Sequence, residues 1–85
     1  MARYYFHLRD GIDVLLDEEG RELADAHGIA AAALNDARSI ISNDALAGKI
    51  RLDQRLDIED AAHVIVHSLA FGDAVEIIQP MAPPH

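Results

Sequence analysis

The chain has no cysteine among its 85 residues. That rules out a disulfide framework and a zinc–thiolate site, and it fits a reducing compartment. Basic residues are scarce, with seven Lys and Arg against fifteen Asp and Glu and a formal net charge of −8. Phosphate-backbone binding depends on clustered Lys and Arg, so direct nucleic-acid binding is not expected. The chain also lacks the apolar stretch of about 7–15 residues that a secretory leader carries. No run approaches the roughly 20 apolar residues that span a bilayer. These absences predict a soluble, cytoplasmic protein with no membrane attachment. There is no EF-hand spacing, no nucleophile elbow and no phosphate-cradling glycine loop, so neither a cofactor nor a catalytic residue is expected.

What is present is a half-apolar chain, 51% hydrophobic, long enough for one small domain. A domain of this size buries only about two-thirds of its unfolded surface. The expected domain covers residues 1–79, with a disordered Pro-rich tail over 80–85.

Arg3 to Asp17 alternates with the period of a half-buried strand and reads as a hairpin. A two-residue Asp10-Gly11 loop would set Leu8 against Asp13 and put a charge on the apolar face. A three-residue Arg9-Asp10-Gly11 loop, with Gly11 in the left-handed position, sets Leu8 against Ile12, Phe6 against Val14 and Tyr4 against Leu16. It also pairs His7 with Asp13 and Arg3 with Asp17. The second register is therefore predicted. Gly20 marks a turn, and Asp25 is the expected N-cap of a helix from Ala26 to about Ala47. Its apolar stripe is Leu23, Ala26, Ala30, Leu34, Ala37 and Ile41, widened by Ile29, Ala33 and Ile40, with Gly48 as the stop.

Leu56 to Leu69 reads as a second hairpin around an Asp60–His63 loop. Ile65, Leu69 and His67 should face the same way as Leu56 and Ile58, with His67 partly buried. Asp73 is expected to cap a short helix through Ile78. The predicted fold is α+β, in the order ββαββα: a mostly antiparallel four-stranded sheet with the long helix on one face.

"RYYFHLRDG" at Arg3–Gly11, "DEEG" at Asp17–Gly20 and "AFGDAVEI" at Ala70–Ile77 resemble a group of short bacterial proteins classed as a domain of unknown function. The likeness extends to about Ile78, with a looser middle. It implies a compact α+β domain with two hairpins around a helix, and it carries over no catalytic residue. That family usually has glycine near His63 and an aliphatic residue near His67.

Charge is concentrated between Asp10 and Asp25, where seven acids (Asp10, Asp13, Asp17, Glu18, Glu19, Glu22, Asp25) face one base, Arg21. Asp17, Glu18 and Glu19 point in different directions in a strand-to-turn segment, so no metal site is expected from them. His63 and His67 would lie about 13 Å apart on a strand, too far to share a ligand. Two functions remain. The first is a non-enzymatic interaction or regulatory module, acting as a homodimer or on a protein partner. Tyr5, Leu15, Val64 and Val66 on the helix-free sheet face, and the acidic Asp17, Glu18 and Glu19, would be its contact residues. The alternative is a metal-dependent or hydrolase-like activity using His7 and the acidic 13–22 segment.

Overall fold

A computed structural model of the protein describes residues 1–80. The expected Pro-rich tail lies, from residue 81 on, outside the described residues. The elements are β1 (Ala2–Asp10), β2 (Asp13–Leu15), β3 (Arg21–Leu23), α1 (Ala26–Leu46), β4 (Gln54–Glu59), β5 (Ile65–Ala70) and α2 (Phe71–Ala74). The fold is α+β, and the sheet has five strands. Its order is β2-β1-β4-β5, all antiparallel, and β3 pairs with the other end of β1.

The first hairpin is shifted from the expected register. Leu8 faces Leu15, Arg9 faces Val14 and Asp10 faces Asp13. The loop is Gly11-Ile12, with Gly11 in the left-handed region at φ 63°. Leu15 thus lies on the helix side with Leu8, Ile12 is fully exposed at the tip, and His7 does not meet Asp13. The cause is Asp17. β1 is nine residues long, and its outer edge is covered by β2 at one end and β3 at the other. Between them the Phe6 N–H donates to Asp17 Oδ2 at 3.0 Å, so a carboxylate stands where a strand carbonyl would. Asp17 Oδ1 accepts from the N–H groups of Glu19 (3.2 Å) and Gly20 (3.1 Å) and turns the chain back. The returning segment becomes β3, the strand that the alternation did not reveal. Arg3 contacts the Glu19 carbonyl and Glu22 rather than Asp17.

Asp25 caps α1 as expected, accepting from Gly28 N–H at 2.8 Å. The buried stripe runs through Ile29, Ala33, Ala37 and Ile41, so Ala37 and Ile41 of the expected stripe and Ile29 and Ala33 of its widening are buried, Ala30 and Leu34 are only half-buried, and Ala26 is exposed. These side chains meet Phe6, Leu56, Ile58, Phe71 and Ala74 in the core. Arg21 closes its edge: its guanidinium lies 4.2 Å from the Phe6 ring centroid and makes two bonds to Asp36 of α1.

In the second hairpin Leu56 faces Leu69 and Ile58 faces His67, so both β5 residues share the core side of β4. His67 is half-buried. A bulge near Glu59 shifts the pairing, and His63 takes a left-handed φ of 63° in the loop. The expected helix to Ile78 is only the single turn of α2. Val75 turns extended, and the β-branched Val75, Ile77 and Ile78 before Pro80 favour that. Arg38 Nε donates to the Ala74 carbonyl and satisfies the end of the turn.

Two glycine substitutions separate backbone strain from collision. A Cβ on Gly11 (φ 63°) meets nothing within 4 Å, so Gly11→Ala should cost about 1 kcal/mol, from the backbone alone. A Cβ on Gly20 (φ 69°) would lie 2.9 Å from the Tyr4 carbonyl oxygen and 2.9 Å from the Tyr5 ring. Gly20→Ala should cost about 2–4 kcal/mol, read by urea denaturation. Equal losses at the two positions would contradict the close approach of the turn to β1.

Candidate functional site

The face of the sheet without a helix is polar and has two parts. The first centres on Asp57, whose side chain is 3% exposed. Arg9 donates from across β1, Arg55 from along β4 (Nε to Oδ1 at 3.0 Å), and Ser68 Oγ from β5 at 2.8 Å. Burial pushes the Asp57 carboxyl up. The hydrogen bonds from Ser68, Arg9 and Arg55, with the Arg55 charge, outweigh it and hold the group below the ordinary carboxylate value. The two guanidinium groups and Ser68 thereby cover the carboxylate on a face that no helix covers.

The second part is an open cleft of about 410 Å³ beside this cluster. β1 contributes Tyr5 and His7, whose rings stack with centroids 6.5 Å apart and planes 9° apart. β4 contributes Glu59, the cross-strand partner of Tyr5. The loop after β2 supplies Leu16, Asp17 and Glu18 as one wall, and His63 stands on the rim, 87% exposed. His7 Nδ1 accepts the Asp17 N–H at 3.0 Å, so the ring proton is on Nε2, which faces Glu59 Oε1 at 3.5 Å. His63 Nδ1 lies 3.4 Å from Glu59 Oε2. Asp17 is spent on structure. Burial raises its carboxyl, but the backbone N–H groups of Phe6, Gly20 and Glu19, with the Arg21 charge, outweigh it and leave the group below its ordinary value.

This geometry bears on the alternative activity. With Nδ1 accepting and Nε2 protonated, His7 has no free lone pair for a proton or a metal. Among the described residues no group of three or more His, Asp or Glu side chains could hold a metal ion. Ser68 donates to Asp57 and has no histidine partner among the described residues.

The expected contact residues do not form one patch. Tyr5, Asp17 and Glu18 meet at the cleft, with Glu19 exposed beside it. Leu15 lies on the helix side, in a groove with Phe6 and Ile40. Val66, at the bulge, lines a cavity on the helix side with Tyr4, Ala26, Ile29 and His67 while staying half-exposed. Val64 ends the hairpin loop, bonded to Asp60 in both directions. Glu59 and Asp57 were missed, since each reads as the polar half of an alternating strand. The signal that could have exposed them is the pair of arginines, Arg9 and Arg55, at matching strand positions.

Among the described residues β5 pairs with β4 alone and ends the sheet. Its residues, Ile-Val-His-Ser-Leu-Ala, include no Lys, Arg, Asp or Glu. Val64, Ile65 and Val66 are 54%, 49% and 45% exposed. No helix among the described residues is long and apolar enough to cross a membrane.

Residues 3–72 match a family described as "Domain of unknown function (DUF6894)". No curated protein and no solved structure matches the chain.

The Asp57 cluster gives a pH-dependent stability. Its lowered carboxyl contributes fully above the unfolded value of 3.8, and that contribution is lost as pH falls through the lower folded value. Asp57→Asn should cost about 2 kcal/mol at neutral pH, the worth of hydrogen bonds to a buried charge. The gap to the unaltered protein should shrink in acid, followed by urea unfolding at stepped pH. A gap independent of pH would show that the charge at Asp57 contributes nothing.

Proposed function

We propose that this chain, which belongs to the DUF6894 family, is a small non-enzymatic interaction module that works as a homodimer through the free edge of β5. The observation that carries this reading is the uncharged edge with Val64, Ile65 and Val66 half-exposed along it. Edge strands that must stay single are shortened or guarded by charge. The opposite edge follows that rule: β2 and β3 are three residues each and carry Asp13, Arg21 and Glu22. β5 has six residues and no such guard.

A second copy suits this edge for an electrostatic reason. Two chains of net charge −8 repel wherever acids meet. An antiparallel pairing of β5 with itself brings together the strand that carries no charge, and a two-fold axis makes the contact self-complementary. The backbone groups facing outward from β5 then find partners in place of water. Glu18 and Glu19 remain solvated on the far side of β1.

The reading predicts a dimer in sedimentation at micromolar concentration. Ile65→Lys should convert it to a folded monomer, with the monomer's circular dichroism unchanged. Outward amides of β5 should exchange more slowly as protein concentration rises. A single monomeric species, or a dimer indifferent to Ile65→Lys with no slowing in β5, would refute the edge pairing.

A further inference from the structure

Glu59 is a half-buried carboxylate of the helix-free face with no guanidinium or ammonium partner among the described residues. Its side chain is 23% exposed, and among the described residues its two oxygens form ion-pair contacts only with imidazole nitrogens, at 3.5 and 3.4 Å. No arginine or lysine lines the cleft. Each arginine of the chain is engaged elsewhere in the fold. Its neighbour on Asp57, two residues away on the same strand face, shows the contrast, for that carboxylate holds two guanidinium groups.

We infer that this cleft is a binding site for a guanidinium group, stacked on the Tyr5–His7 rings and paired with the Glu59 carboxylate. The chain already uses that recognition once, on the other side of the sheet. There the Arg21 guanidinium lies over the Phe6 ring and bonds to Asp36 at 2.7 and 3.2 Å. The cleft presents the same two components, a ring and a carboxylate on directly paired strand positions, with the cation missing. His7 fixes the anion, because its Nδ1 bond to the Asp17 N–H directs the Nε2 proton at Glu59. Glu18 at the wall, within the run of seven acids and one base, draws a cation toward the mouth.

The shape of the walls selects guanidinium over other cations. A planar, weakly hydrated guanidinium can lie flat on stacked rings while donating to a carboxylate in its plane, and an ammonium cannot. A metal ion is disfavoured by the proton on His7 Nε2. The group can arrive as an arginine side chain of a partner protein or as a free small guanidine.

The test is an amide chemical-shift titration of the isotope-labelled full chain. The probes are N-acetyl-arginine amide, agmatine, a Gly-Arg-Gly peptide, and N-acetyl-citrulline amide as the uncharged isostere. The expected result is saturable shifts at Tyr5, His7, Glu59 and His63 with the three guanidines and none with citrulline. Glu59→Gln should weaken binding by about tenfold or more, while Glu19→Gln, outside the cleft, leaves it within about twofold. Tyr5→Leu provides a second variant that removes the stacking surface and should also weaken it. A peptide that binds about tenfold better than agmatine assigns the source to a partner's side chain, and the reverse assigns it to a free guanidine. Equal shifts with citrulline, or undiminished binding in folded Glu59→Gln and Tyr5→Leu, would overturn the assignment. The dimer plays no part in this test, so either reading can fail alone.

Discussion

The Asp17 carboxylate is the constraint on which the rest of the structure depends. A nine-residue strand with one continuous neighbour would make an ordinary long hairpin. Here the outer ladder of β1 stops after Leu8 and resumes at Tyr4. An acceptor is needed in the gap, because an unpaired buried N–H costs about 1–3 kcal/mol. Asp17 supplies it to Phe6, and with its other oxygen bends the chain at Glu19 and Gly20. One side chain thereby splits a strand into β2 and β3. It also places the intervening loop on the helix-free face and directs Arg21 over Phe6 toward α1. Its own backbone N–H then fixes the tautomer of His7. Edge, cleft and core share this single point.

The parts of the fold legible in the sequence were those with a local physical cause. The Asp25 cap, the left-handed Gly11, the long alanine-rich helix and the shared facing of Leu69 and His67 with Leu56 and Ile58 each follow from a few neighbouring residues. The register of the first hairpin did not. Val14, Leu15 and Leu16 are consecutive apolar residues, so either parity gives a plausible apolar face. The choice fell to Asp17, whose partners are backbone groups that hydropathy does not represent. β3 escaped for a related reason. Three residues, Arg-Glu-Leu, are too few to show a period, and they become a strand only because the turn at Gly20 returns them to β1.

The candidate site was legible only in fragments. Tyr5, His7 and the acids were visible as residues, but their neighbours across the sheet were not. An alternating Leu-Asp-Ile-Glu strand predicts solvated acids on one face. Asp57 is instead almost wholly covered, with the guanidinium groups of Arg9 and Arg55 and the Ser68 hydroxyl bonded to it. Cross-strand register decides this, and register was the quantity a single sequence left ambiguous.

The two carboxylates of β4 on the helix-free face show how one sheet can be finished in two ways. An antiparallel sheet with a helix on only one side can leave its other side to water, cover it with its own side chains or offer it to a partner. At Asp57 the chain closes the surface with its own guanidinium groups, and the face there is complete. At Glu59, two residues on, no internal cation reaches the carboxylate, and the Asp17 loop rises to form a wall instead of a lid. Adding an arginine at the rim would have been a small change, given that six already serve the fold. His63 occupies that rim in a left-handed conformation, within reach of Glu59 yet almost fully exposed. An exposed imidazole there, held by one contact, can move aside at little cost, which an arginine bound to the same carboxylate could not. The cleft is thus held open by the same carboxylate–backbone contacts that organise the hairpin, with its binding group oriented and its natural counter-charge left for a ligand to supply.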